Sequence, residues 1–287
     1  MDSAVTIGKF DGFHRGHKIL LETLLRESND NELESVVFKI DTAQTQILSD
    51  AEQREIMQEF HVDRFIRQLF TPEFSSIEPD DFVEDILIRK LHMKCLIVGS
   101  DFCFGNKRCG NIELLKELSD IYGFKLHVIE KIEDKKSIIS STRIREAITN
   151  GDIEEVNTLL GRQFGFQGIV EHGNHIGTTL GFPTINLMPG REKIIPKFGV
   201  YSSETILYSD DGTKKIFKSI TNVGNNPTIA NGLSVTIETF IYNFNSYIYG
   251  NRIRVELKKM LRGEKKFRNL EELKKQIAHD IEDAESV

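Results

Sequence analysis

Gly8-Lys9-Phe10-Asp11-Gly12-Phe13-His14-Arg15-Gly16-His17 is the stretch on which the fold of the first half turns. It follows the apolar run Ala4-Val5-Thr6-Ile7, and Ile19-Leu20-Leu21 and Leu24-Leu25 recur after it at helical spacing. The pattern predicts a strand, a tight glycine-punctuated loop and an amphipathic helix. A helix opening at such a turn presents free backbone N–H groups and the positive end of its dipole, which suits an anion. His14 and His17 stand beside that anion, and Gly16 between them lets a phosphate approach the backbone. The chemistry that fits is transfer of a nucleotidyl group from ATP, which needs charge stabilisation at the phosphates more than covalent help. In this reading both histidines donate to developing phosphate charge, and Asp11 orients the loop or a metal. A plain surface turn is the alternative these ten residues leave open.

The 287 residues are long for one core and comfortable for two domains. Hydrophobic content of 39% and charged content of 28% describe an ordinary soluble protein. No apolar run approaches the roughly 20 residues of a membrane span, and no leader pattern opens the chain, so the cytoplasm is the expected location. The net charge of −7 is uneven: residues up to Gly161 carry 20 basic and 30 acidic side chains, the remainder 17 and 14. Neither half is basic enough for a nucleic-acid partner. Cys95, Cys103 and Cys109 are odd in number and lack CxxC spacing, which argues against disulfides and structural zinc.

Strand-like runs at 35–38, 64–70, 95–98 and 125–130 alternate with helical spacing at 51–60, after Pro79 and at 111–122. That alternation predicts a parallel, Rossmann-like sheet with its ligand beyond the carboxyl ends of the strands. Gly8 to His17 and Gly99-Ser100-Asp101-Phe102-Cys103-Phe104-Gly105 both fall there. In Ile139-Ser140-Ser141-Thr142-Arg143-Ile144-Arg145, a hydroxyl residue caps a helix whose first turn holds two arginines. The dipole disfavours cations at that end, so an anion is expected to compensate. Gly151 breaks this helix, and Asp152 is expected to cap another that ends at Gly161.

From Phe166 the texture changes to short β-rich runs at 166–173, 199–208, 214–223, 234–242 and 246–257, with one closing helix at 269–283. Evenly spaced strands predict an antiparallel barrel. Within Gly173-Asn174-His175-Ile176-Gly177-Thr178-Thr179-Leu180-Gly181-Phe182-Pro183-Thr184-Ile185-Asn186, glycine-rich backbone can wrap phosphates, so Gly173, Gly177 and Gly181 are nucleotide candidates. The Thr184 hydroxyl and the Asn186 carbonyl oxygen suit a hard cation such as Mg²⁺. Glu238, in Val235-Thr236-Ile237-Glu238-Thr239-Phe240-Ile241, alternates away from the apolar face and reads by pattern as an exposed strand carboxylate.

These motifs together resemble bacterial bifunctional riboflavin kinase/FAD synthetases. The opening GxFDGxHxGH is similar to the signature of HxGH nucleotidylyltransferases, and the later motifs follow in family order to Leu261-Arg262-Gly263-Glu264-Lys265-Lys266-Phe267. The resemblance implies an α/β Rossmann-like FMN adenylyltransferase domain over 1–161. It implies a six-stranded antiparallel barrel with a C-terminal helix, the riboflavin kinase domain, over 162–287. ATP, with Mg²⁺, first phosphorylates riboflavin to FMN, leaving ADP; a second ATP then adenylylates FMN to FAD and pyrophosphate. By the same resemblance Gly8, Phe10, Asp11, Gly16, Ser141, Thr142 and Arg143 bind nucleotide. Asp101, Phe102, Asn222 and Arg262 contact flavin, and Glu238 takes the proton from the ribityl 5′-hydroxyl. No nucleic-acid or membrane partner is expected, and the chain is expected to be a monomer or weak oligomer.

The sequence also departs from the family pattern. Members follow the second strand with a phrase like FDPHP, where this chain has Phe38-Lys39-Ile40-Asp41-Thr42-Ala43-Gln44. Lys9, Thr178 and Asn226 stand where Asn, Arg and Arg are frequent. Two other readings therefore stay open: a riboflavin kinase with a weakened adenylyltransferase, and a flavin or nucleotide sensor without turnover.

Overall fold

The computed structural model describes residues 1–42, 44–134, 137–171, 182–209, 212–226 and 234–285. It divides into two compact units, Met1–Ser141 and Thr142–Val287.

The first unit is a five-stranded parallel sheet in the order β3-β2-β1-β4-β5. Its strands are β1 (Ser3–Gly8), β2 (Glu34–Asp41), β3 (Arg64–Leu69), β4 (Met93–Gly99) and β5 (Lys125–Ile129). The central strands are buried on both faces: Ala4, Val5, Val36, Val37, Leu96, Ile97 and Val98 are wholly inaccessible. A parallel sheet covered by helices requires such continuous apolar runs, which is how the strands are legible in the sequence.

Helices α1 (Arg15–Asn31), α2 (Asp50–Glu59) and α5 (Ile112–Tyr122) bury apolar faces on this sheet. Ser49 and Glu52 form a reciprocal capping box that starts α2. Between α2 and α5 come two short helices, α3 (Pro72–Ser75) and α4 (Pro79–Asp81). The helix expected from Pro79 does form, but it widens into π geometry over Phe82–Lys90, with Leu91 N–H donating to Ile86 O. The strand order reverses between β1 and β4, so the crevice beyond their carboxyl ends is where such a sheet takes a ligand.

In the second unit, α6 (Ser141–Asn150) and α7 (Ile153–Leu160) precede the curled antiparallel sheet. Asn157 ties α7 to the sheet, donating to Leu257 O at 2.9 Å and accepting from Phe164 N at 2.7 Å. Packing thus groups these helices with the antiparallel sheet, whereas the sequence reading places them before its boundary at Gly161. Asp152 does stand ahead of α7, but its side chain makes no capping bond.

The sheet order is β6-β11-β8-β9-β10-β7. Its strands are β6 (Gly165–Ile169), β7 (Thr184–Leu187), β8 (Gly199–Tyr208), β9 (Lys214–Asn226), β10 (Ser234–Ile241) and β11 (Arg252–Gly263). The two edges meet where Glu171 N–H donates to Asn186 O at 2.9 Å. Inside lie Tyr201, Val223, Ile237, Val255 and Leu257, with a chain of buried hydroxyls through Ser203, Thr205, Ser219, Thr221 and Thr239.

Three strand expectations are corrected. The last strand is 252–263 rather than 246–257, because Asn243 and Gly250 take left-handed turns and its second half is charged and escapes an apolar search. The sixth strand is Thr184–Leu187, too short to register as a run. The strand expected at 214–223 runs on through Asn226.

Candidate active sites

The first site sits at the head of α1. His14 is the N-cap, and its Nδ1 accepts from Gly16 N–H at 3.2 Å. A Cβ on Gly16 would meet the His14 ring at 3.1 Å, so glycine here secures the close approach. His14 and His17 stack with ring centroids 3.9 Å apart. Phe10 and Phe13 hold left-handed backbone, at φ 42° each, and Phe10 packs against the His17 ring. Asp11 is buried and accepts the Ile47 N–H at 2.9 Å, which ties the opening loop to the segment after β2.

A cavity of about 590 Å³ opens over these groups. Gly8, His14, Gly16, His17, Asp101, Phe102 and Ser141 line it, so the structure brings most of the expected first-half residues together. Phe10 and Asp11 lie behind its wall and support it. Asp101 is exposed and ion-paired with Lys131 at 2.9 Å. Phe102 stacks on Phe104, of which only Phe104 is fully buried. Thr142 and Arg143 belong to the second unit by packing, and Arg143 is engaged by Glu155 at 2.8 Å. Sequence reasoning missed Arg108 and Lys131 as cavity cations, because nothing periodic marks either one.

At the end of β2, where the FDPHP phrase is missing, a buried polar network fills the space. Lys39, 1% exposed, pairs with Asp41 and donates to Gln46 at 2.8 Å and Gln53 at 2.7 Å. Asp41 also binds Arg67 at 2.6 Å, and Arg67 reaches Asp50. Burial pulls the Lys39 ammonium below its ordinary value, opposed by its bond to Asp41. Gln53 donates in turn to Leu48 O at 2.9 Å. This network and Asp11 therefore hold the same 46–48 segment.

The second site lies on the outer face of the curled sheet, in a cavity of about 680 Å³. That volume suits a drug-sized ligand. Glu238 is flanked in register by Asn186 on β7 and Asn222 on β9, and Phe240 pairs with Thr184. All five line the cavity, as do Arg262 and Asp280. Desolvation raises the Glu238 pKa above the usual carboxylate value. Glu238 is therefore not the exposed strand carboxylate of its pattern: the face opposite the barrel interior is covered by the C-terminal helix, Leu270–Glu285, and its approach. Arg262 is gripped by Asp280 through bonds of 2.7 and 2.8 Å and lies over the Phe267 ring. Asp280, 2% exposed, was missed; a lone acid on the inner face of an otherwise amphipathic helix was its signal.

Thr184 and Asn186 present neutral oxygens beside Glu238, a donor set that fits a hard cation accompanying a nucleotide. Gly173, Gly177 and Gly181 lie outside the described residues. Among the described residues no helix is long and apolar enough to cross a membrane.

An α/β unit with a crevice at its strand-order reversal is followed by a curled β unit with a half-buried carboxylate in its cavity, an arrangement with two separate sites. The FAD synthetase family model matches residues 1–143 and the riboflavin kinase model matches 160–287. The bifunctional riboflavin kinase/FMN adenylyltransferase of Buchnera aphidicola from Schizaphis graminum is 37% identical, over 98% of this chain and 92% of the relative. That of Escherichia coli K12 is 34% identical, over 96% and 90%. A solved Streptococcus pneumoniae structure, described as a macrolide-efflux protein, has a TM-score of 0.86 at 27% identity, over 100% of this chain and 95% of its own. The chain belongs to the bifunctional riboflavin kinase/FMN adenylyltransferase family.

Proposed function

We propose that the chain makes FAD from riboflavin in two ATP-dependent steps, one at each cavity. The observation that carries this reading is that each unit encloses its own cavity, one around His14 and His17 and the other around Glu238.

In the barrel cavity, Glu238 takes the proton of the ribityl 5′-hydroxyl as that oxygen attacks the γ-phosphorus of ATP, and ADP leaves. Its raised pKa strengthens it as a base, and a positioned base contributes about 10²–10⁴-fold. Asn186 and Asn222, in register on either side, orient the hydroxyl and the carboxylate. Thr184 and Asn186 would hold Mg²⁺, which when bound neutralises phosphate charge. Arg262, fixed by Asp280, flanks the flavin.

In the first cavity, the FMN phosphate attacks the α-phosphorus of a second ATP. His14, His17 and the amides at the head of α1 stabilise the developing charge, and pyrophosphate departs. The cavity's Lys9, Arg108 and Lys131 add positive charge for it. Asp101 and Phe102 contact flavin, and Ser141 contacts nucleotide.

The Lys39 network orders the segment where the family phrase is missing, and the cavity over His14 and His17 is formed beside it, which supports two working sites over a weakened first one. A base in a cavity also argues against a sensor without turnover, since binding alone needs none. We place the enzyme in the cytoplasm as a monomer or weak oligomer without nucleic-acid or membrane partners. The test is incubation with riboflavin, ATP and Mg²⁺ and chromatographic separation of riboflavin, FMN and FAD. Both products are expected, with FMN accumulating first. FMN without FAD would leave a kinase alone, and neither product would leave a sensor.

A further inference from the structure

On the α1-covered face of the first unit, away from the cavity, three side chains of metal-binding type converge. Glu27 comes from α1, Cys95 from β4 and His127 from β5, and their donor atoms all lie within 4.8 Å of one another. Glu27 and Cys95 are buried, at 6% and 2% exposure. The two Glu27 oxygens have different neighbours. Oε2 accepts from Lys125 at 2.8 Å and Asn31 at 3.3 Å, which fixes the carboxylate. Oε1 faces His127 Nε2 at 3.0 Å, yet among the described residues that buried nitrogen makes no hydrogen bond.

We propose that Glu27, Cys95 and His127 form a structural site for a zinc-class divalent cation. The donor set of carboxylate, thiolate and imidazole is one such a cation favours, at about 2.0–2.3 Å from each atom. Tetrahedral ligands at those lengths stand about 3.4–3.6 Å apart, so the Glu27–His127 pair is already near the required spacing. The Cys95 Sγ, within 4.8 Å of both, is the third donor. The thiol proton leaves to solvent as the cation takes its place, and the two anionic ligands then balance the dication. Water completes the fourth position. Glu27 lies ten residues along α1 from His17, about 15 Å by helical rise, so the ion would anchor the helix rather than join the chemistry.

The test uses the full chain with Cys103→Ser and Cys109→Ser, leaving one thiol, stripped with chelator and titrated with Co²⁺ as a spectroscopic probe for zinc. One equivalent is expected to give a near-ultraviolet thiolate-to-cobalt band that Cys95→Ser abolishes and His127→Gln strongly weakens. Zn²⁺ is expected to raise the melting temperature of the parent and not of His127→Gln. Should Cys95→Ser fail to fold, His127→Gln still decides, because its ring is at the partly exposed edge of the cluster. No thiolate band, a band unchanged by His127→Gln, or equal Zn²⁺ stabilisation of both chains would overturn the proposal and leave an ionic network only.

Discussion

Glu238 on β10 and Asn186 on β7 are register partners across an antiparallel pair, and both line the cavity of the second unit. Cross-strand partners lie about 4.5–5.5 Å apart, so a carboxylate and an amide face the same part of the cavity from adjacent strands. The placement comes from backbone pairing, which fixes it more firmly than a loop would.

Glu238→Gln keeps shape and hydrogen bonding but removes the basic carboxylate. FMN formation is expected to fall by about 10²–10⁴-fold. Conversion of supplied purified FMN to FAD is expected to stay close to the parent rate. Collapse of both rates in a protein that remains folded by circular dichroism would contradict two separate sites.

The same residue sets a pH dependence. Desolvation raises its pKa above the ordinary 4.5, and in the proposed mechanism Glu238 acts only when ionised. Kinase kcat/KM should therefore rise with pH through that raised pKa and level off above it. In Glu238→Gln the acidic limb should be lost; a limb that persists belongs to another group.

In the proposed mechanism His17 donates to charge developing in adenylyl transfer, and His17→Ala removes that donor. FAD formation from FMN is expected to drop by about 10²-fold or more, with riboflavin phosphorylation nearly intact. Gly16→Ala should act in the same direction, since its Cβ crowds the His14 ring at 3.1 Å. Steady-state assays of the two half-reactions check both variants.

Lys39→Met leaves Asp41 with Arg67 alone and strips a partner from Gln46 and Gln53. Removing one member of a buried ion pair costs about 3–5 kcal/mol, and the retained Arg67 puts this case at the lower end. Urea unfolding measures it. The double variant Lys39→Met/Asp41→Asn should recover part of the loss, and an equal or larger loss would mean the pair is not coupled.

Asp280→Leu should release Arg262 from its bidentate grip. The expected effect is a raised KM for riboflavin with a smaller change in kcat, because the proposed function puts Arg262 beside the flavin rather than the transferred phosphate. A kcat loss with unchanged KM would place Arg262 closer to the chemistry.

Much of this protein is legible without coordinates. Buried strands in a parallel sheet must be apolar on both faces, so Val36-Val37-Phe38 and Cys95 to Val98 announce themselves. The glycines and histidines from Gly8 to His17 mark the turn between strand and helix, and at Gly16 a Cβ would meet the His14 ring at 3.1 Å. The tertiary structure decided what depends on partners distant in the chain. It turned the face carrying Glu238 from solvent into a cavity wall, since the helix that covers it comes some thirty residues later. It also joined Lys39, Asp41 and Arg67, and separately Glu27, Cys95 and His127. One-dimensional periodicity records which way a side chain points; what lies opposite is set by strand order and helix docking.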